Sequence, residues 1–250
     1  MSSRSGTIGI DRYFAAILAL ETRVVDGQRD LLVRVAEAMA DTILQDGRIY
    51  VFGTGHSHML AEEAHFRAGG LAPVIPIFLP SLMLHESATL SGRIERMAGI
   101  AESLLDRYGP HTGDMLFVFS NSGVNATPIE MAQAAKARGL TVVSVCSMAY
   151  ARVAPLSPIG KRLFEIADFA IDNGGEPGDS LVAIEGMPWR VGPSSTVIGA
   201  LVWNCLVTET AARLQARSAE VPVYVSANMP GAGEHNAALL KKWRPFNPHL

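Results

Sequence analysis

The sequence predicts an α/β chain built on a parallel sheet covered by helices on both faces. Three observations carry this. Short apolar, β-branched or aromatic runs alternate with longer segments of helical spacing. The runs at 115–119 (MLFVF) and 141–146 (TVVSVC) lack the one-side-polar alternation of a half-exposed strand, so both their faces are expected to be covered. Glycine, alone or with proline, closes most of the helical segments.

Residues 11–46 read as helix, with Ile17, Leu18, Val24, Val25, Leu31, Leu32, Val35, Met39 and Ile43 recurring at spacings of three and four. Gly27 is the expected break within it and Gly47 its end. The apolar stretch 13–20 runs straight into Glu21 and Arg23 without a small-residue cleavage site, so it reads as an amphipathic helix and not as a leader. A strand at 48–52 follows, then a helix at 57–68 ended by Gly69-Gly70, and a short strand at 73–78. Residues 93–108 read as one helix closed by Gly109-Pro110, 115–119 as a strand and 128–138 as a helix closed by Gly139. The strand at 141–146, a short helix at 161–167 and a strand at 169–171 complete the main alternation. A turn-rich connection at 173–179 reads as surface loop. The long helix 194–216 is apolar in its first half, too briefly to cross a bilayer, and reads as buried. A last strand at 221–225 and a last helix at 233–243 are expected. Together these give one domain over 1–250: three αβα layers around a five-stranded, doubly wound, flavodoxin-like sheet, with the segment 1–46 packed on it.

Composition narrows the function. The 250 residues are 48% hydrophobic and 18% charged, which excludes a disordered chain. Lys+Arg 21 against Asp+Glu 24 gives a net charge of −3, without the basic footprint of a nucleic-acid binder. No membrane partner is expected either. The two cysteines, Cys146 and Cys205, lie in apolar runs and read as buried free thiols of a cytoplasmic protein.

Ligands of such sheets bind at the carboxyl ends of the strands. Two strand ends here carry glycine and hydroxyl groups. The first is Gly53-Thr54-Gly55-His56-Ser57-His58; the second is Ser120-Asn121-Ser122-Gly123-Val124-Asn125. Glycine lets the backbone approach an anion, a helix start offers free N–H groups, and the hydroxyls donate hydrogen bonds. The same residues also suit an ordinary tight turn and helix cap. Neither loop is a nucleotide fingerprint: the third glycine of GxGxxG and the Lys-Ser/Thr pair of a P-loop are both missing. His58, Glu62 and His65, at i, i+4 and i+7, share one helical face. With His85 or His235 such a face suits zinc, and it equally suits a solvated polar surface; no cofactor is expected, with zinc as the alternative. Glu234 and His235, in Asn228-Met229-Pro230-Gly231-Ala232-Gly233-Glu234-His235-Asn236, stand at the start of the last helix, where an acidic residue is already favoured.

The two loops, Gly53-Thr54-Gly55-His56-Ser57 and Ser120-Asn121-Ser122-Gly123, resemble those of the SIS (sugar isomerase) domain family, and the resemblance in layout extends over residues 10–245. The wider string GTGHSHMLAEEAHFRAGGLAP resembles a bacterial branch of SIS-domain proteins to which no reaction is assigned. The resemblance implies a five-stranded parallel sheet and a phosphosugar ligand. Ser57, Ser120 and Ser122 would hold the phosphate, with Thr54, Gly55, His56, Asn121 and Gly123 around it. Where the family often has Ser or Thr after the second loop, this chain has Asn125, whose amide also donates.

The resemblance further implies that His85, after the strand 73–78, acts in ring opening and is supplied to the site of a neighbouring subunit, so that a homodimer shares its sites. Glu62, Glu63 and His235 complete the candidate acid–base groups, although the family position for the base falls near Arg67. A C-terminal segment often closes the site in the family. The expected function is a phosphosugar-binding protein acting as an aldose–ketose isomerase or related enzyme on a sugar or amino-sugar phosphate. The alternatives are a non-catalytic phosphosugar sensor, and a lyase cleaving the ether of an amino-sugar-acid phosphate with Glu63 as base.

Overall fold

A computed structural model describes residues 8–250. Two helices open it, α1 (Ile8–Gly27) and α2 (Arg29–Leu44), parted at Gln28. The main sheet follows: β1 (Ile49–Gly53), β2 (Val74–Ile77), β3 (Met115–Phe119), β4 (Thr141–Cys146) and β5 (Phe169–Asp172). All four pairings are parallel and the spatial order is β2-β1-β3-β4-β5. That is the flavodoxin-like order, in which the chain crosses from one side of β1 to the other after β2.

Strand residues alternate between two cores because side chains point to opposite faces with period two. Ile49, Val51, Phe117, Phe119, Val143 and Val145 face the layer formed by α1, α2 and the long helix α8 (Ser195–Ala216). Tyr50, Phe52, Leu116, Val118 and Val142 face α5 (Ala101–Asp106) and α6 (Ala126–Ala137). α8 is long and apolar enough, by length and composition, to cross a membrane. Here its buried side packs on α2, and Trp203 stands edge-on to Phe117 at 5.2 Å.

Several expectations are corrected. The helix after β1 is α3 (His58–Ala64), seven residues instead of the expected run to 68. His65 turns extended and Phe66 adopts φ 42°, which seats its ring edge-on against Tyr224 at 4.9 Å. The segment 93–108 is not one helix. α4 (Ala88–Ile94) ends early, and α5 restarts after Gly99 at φ 90°, whose N–H donates to the Glu130 carboxylate at 2.8 Å. α7 (Met148–Val153) follows β4. Residues 161–167 hold only a 3-10 turn, Leu163–Glu165. Residues 221–225 form no strand, only a single antiparallel bridge from Val223 to Leu71. A hairpin that the sequence did not announce, β6 (Ser180–Val182) with β7 (Val191–Pro193), follows the 173–179 connection and packs on α1, where Tyr13 donates to the Pro193 carbonyl at 2.7 Å. The last helix, α9 (Ala232–Trp243), packs with Ala72 and Tyr224 in a small separate cluster. Cys146 is buried, while Cys205 is only half-buried.

Candidate functional site

β1 and β3 are neighbours whose chains depart in opposite directions, so a crevice opens at their carboxyl ends. Gly53 pairs in register with Phe119, and the two hydroxyl-bearing loops therefore leave the sheet at one level. The first loop folds back tightly: a Cβ at Gly53 would stand 2.3 Å from the Ser57 carbonyl oxygen. Thr54 is extended, Gly55 turns at φ 57°, and a 3-10 turn over Gly55–Ser57 leads into α3.

The second loop is pinned from three sides. Ser120 N–H donates to the Val145 carbonyl at 3.1 Å and Ser147 N–H to the Asn121 carbonyl at 3.0 Å. The buried Asn173 amide donates to the Asn121 side chain at 2.8 Å. Gly123, at φ 60°, lies over Cys146, whose thiol is pushed up to about 12 by burial and then by the charge of Asp172. That thiol is a packing group, not a nucleophile.

Between the loops lies a cavity of about 400 Å³. It brings together Thr54, Gly55, His56, Ser57, Ser120, Asn121, Ser122 and Asn125. The side-chain hydroxyls of Ser57, Ser120 and Ser122 make no hydrogen bond among the described residues, so their protons are available to a ligand. Three further groups complete the wall. Glu95, just past α4, has a side chain only 15% exposed and accepts a hydrogen bond from Thr54 Oγ1 at 2.7 Å. Asp179 and Ser195 enter from the 173–179 connection and the start of α8.

A family model described as "SIS domain" matches residues 12–147. The chain belongs to the SIS-domain family. It is 43% identical over 244 residues to a UPF0309 protein of Brucella abortus, covering 96% of this chain and 98% of that one. A UPF0309 protein of Brucella anthropi is 42% identical over 240 residues with the same coverage. In fold, this SIS domain is similar to a phosphoheptose isomerase from Francisella tularensis (TM-score 0.56, 16% identity, covering 84% of this chain and 98% of the other). It is also similar to phosphoheptose isomerase GmhA from Neisseria gonorrhoeae (TM-score 0.52, 18% identity, 81% and 95%).

The candidate acid–base residues of the SIS domain are dispersed. Glu63 pairs with Arg67, accepts from the Asn204 amide at 3.2 Å and does not line the cavity. It points to α8 because α3 packs there. Glu62 is exposed and lies 3.5 Å from His58 Nε2, also off the cavity wall. His85 is exposed beside the rim residue Leu84, its ring 6.4 Å from that of His58. His235 is tied by Nε2 to the Val223 carbonyl at 2.8 Å, where the 221–225 segment bridges Leu71 before β2 begins. α9 therefore does not bring it to the strand ends that form the cavity. Gly123 shapes the second loop from beneath and does not line the wall.

The zinc constellation does not assemble. His58 Nδ1 is engaged by the Gly55 carbonyl, and His65 turns toward Phe66 and His249, because α3 ends before it. Among the described residues no three His, Cys, Asp or Glu side chains gather as a metal site. The 173–179 connection, expected as surface, instead delivers Asp179 to the wall. A second concavity of about 430 Å³, between α1, α2 and α8, is lined largely by apolar groups such as Leu32 and Leu201 and touches none of the candidate residues.

Proposed function

We propose that this SIS domain binds a sugar phosphate and acts on it as an aldose–ketose isomerase or a related enzyme. The observation that supports it is the convergence of unengaged hydroxyls from two strand ends on one cavity, with the Glu95 carboxylate in the same wall. A phosphate there takes hydrogen bonds from Ser57, Ser120 and Ser122. α6 starts directly after Asn125 and turns its positive end toward the second loop. Glu95, held by Thr54, is the base in this reading. It takes the proton from the carbon beside the carbonyl and returns it to the adjacent carbon, which exchanges aldose and ketose. His56, exposed on the same wall, serves the sugar oxygens. The fold likeness to two phosphoheptose isomerases is in keeping with this chemistry.

Hexose, heptose and N-acetylamino-sugar phosphates incubated in heavy water test it, with C2 proton exchange read by NMR. Exchange with at least one ester is expected. Ligand-induced stabilisation without exchange would point to a sensor instead. The lyase reading loses its base, since Glu63 is engaged away from the cavity. The role proposed for His85 requires a second copy of the chain, because His85 does not line its own cavity. Mixing His85→Ala with Ser122→Ala chains should restore part of the turnover; no recovery would refute shared sites.

A further inference from the structure

We propose that Asp179 determines which sugar the cavity accepts, and that the preferred ligand is a phosphate ester carrying a free amine. The inference rests on the phosphosugar reading above and adds the chemistry of the sugar.

The connection from β5 brings Asp179 to the cavity wall at φ 65°. One carboxylate oxygen accepts from Ser195 N–H at 2.8 Å, Ser194 Oγ at 3.1 Å and Ser194 N–H at 3.2 Å; the other accepts from Ser195 Oγ at 2.6 Å. A serine hydroxyl has one proton and two lone pairs. Ser195 gives its proton to Asp179, so toward the cavity its oxygen only accepts. Thr54 gives its proton to Glu95 in the same way. Ser57, Ser120 and Ser122 keep theirs. The cavity is thus divided into a donor side suited to an anion and an acceptor side suited to O–H or N–H groups. The two sides adjoin, since Ser195 shares a small chamber with Ser57 and Ser120, within the span of one monosaccharide.

Charge selects among donors. The wall carries two carboxylates, Asp179 and Glu95, against one guanidinium, Arg96, which is exposed and already bonded to Glu95 at 3.1 Å. A phosphate ester adds negative charge to this set. An ammonium on the sugar offsets it; a hydroxyl or acetamido group does not. An ammonium also brings three donors, and its hydrogen bonds to carboxylate are about twice as strong as neutral ones.

Calorimetric titration of the whole chain with inorganic phosphate, glucosamine 6-phosphate, glucose 6-phosphate and N-acetylglucosamine 6-phosphate tests this. The amine ester should bind about tenfold more tightly than the other two esters. In Asp179→Asn and Asp179→Ser, which both keep an oxygen able to cap α8 while removing the charge, that preference should shrink to about twofold or less. Their affinity for inorganic phosphate should not fall below the wild-type value, since a like charge has been removed from the wall. Three esters of equal affinity in the wild type, or a preference that survives in both variants, would overturn the inference and leave the phosphosugar reading standing. Failure of phosphate and of every ester to bind the wild type would overturn that reading, and the amine preference with it.

Discussion

Replacing Gly53 by alanine tests whether the first loop's fold-back sets the site. The new Cβ would meet the Ser57 carbonyl oxygen at 2.3 Å, its carbonyl carbon at 2.5 Å and its Cβ at 2.9 Å. Two of these three atoms are backbone, so no side-chain rotation relieves the clash. Restoring an ordinary contact moves the Ser57 backbone by about 1 Å, enough to break a hydrogen bond whose useful range is only a few tenths of an ångström. Loss of a hydrogen bond to a charged group costs about 1.5–3 kcal/mol, or about 10- to 150-fold in affinity for a phosphate ester. Overpacking adds about 1–3 kcal/mol of instability, a fall of about 3–10 °C in Tm for a chain of this length. The control is Gly109→Ala, which meets no atom within 4 Å, sits at φ 53° and does not line the cavity. It should cost about 1–2 kcal/mol of stability with little effect on ligand affinity. Calorimetry and thermal melts read both. A Gly53→Ala chain with wild-type Tm and wild-type affinity would refute the account of the loop.

Glu95→Gln keeps the Thr54 contact but not the base, so C2 proton exchange should fall by about 10²–10⁴-fold while ester affinity changes little; parallel losses in both would make Glu95 a binding group only. Trp203→Ala, at 1% exposure against Phe117, should cost about 3–5 kcal/mol in urea unfolding; a loss under 1 kcal/mol would mean that α8 is not seated on the sheet as described. His65 and His249 are both held below their ordinary 6.5, chiefly by burial, with His65 and Arg107 adding to the effect at His249. The unfolded chain therefore binds protons more tightly at these sites. Their contribution is complete above pH 6.5 and is lost as the pH falls through 6.5 toward the folded values. His249→Gln should flatten the decline of Tm between pH 7.5 and 5, and an unchanged slope would exclude His249 from it.

The sheet was legible because its strands are dense in β-branched and aromatic residues and covered on both faces: β3 and β4 have the same bounds in sequence and structure. The donor side of the cavity was legible for a related reason. A strand running into Ser-Gly and then a helix places its loop at the carboxyl edge by topology alone. Glu95 was hidden because the break at Gly99 has no local signal strong enough to interrupt 93–108. The break is made by partners far along the chain, with Thr127 N–H donating to the Glu95 carbonyl at 3.0 Å and the Glu130 carboxylate accepting from Gly99 N–H. Asp179 was hidden because the hairpin behind it has strands of three residues, too short for a period to show. The histidines misled because helical spacing predicts a shared face only while the helix lasts, and α3 stops one residue before His65.

Asn125 departs from the Ser or Thr that the resemblance leads one to expect, and its setting shows what the departure does. It precedes α6 in extended conformation, and its side chain makes no capping bond to that helix. A hydroxyl at a helix start commonly turns inward to cap the free N–H groups. Here the amide lines the cavity instead, adding an N–H donor and leaving α6 without a side-chain cap from Asn125. One of those N–H groups, that of Thr127, goes to the Glu95 carbonyl. α6 thereby fixes the residue whose carboxylate Thr54 holds from the other loop. The donor loop and the candidate base are thus mechanically one assembly: whatever displaces the start of α6 moves Glu95 with it. On the proposed function, a phosphate drawn to that helix start would stabilise the contacts that position the carboxylate, linking anion binding to the candidate base without any further moving part.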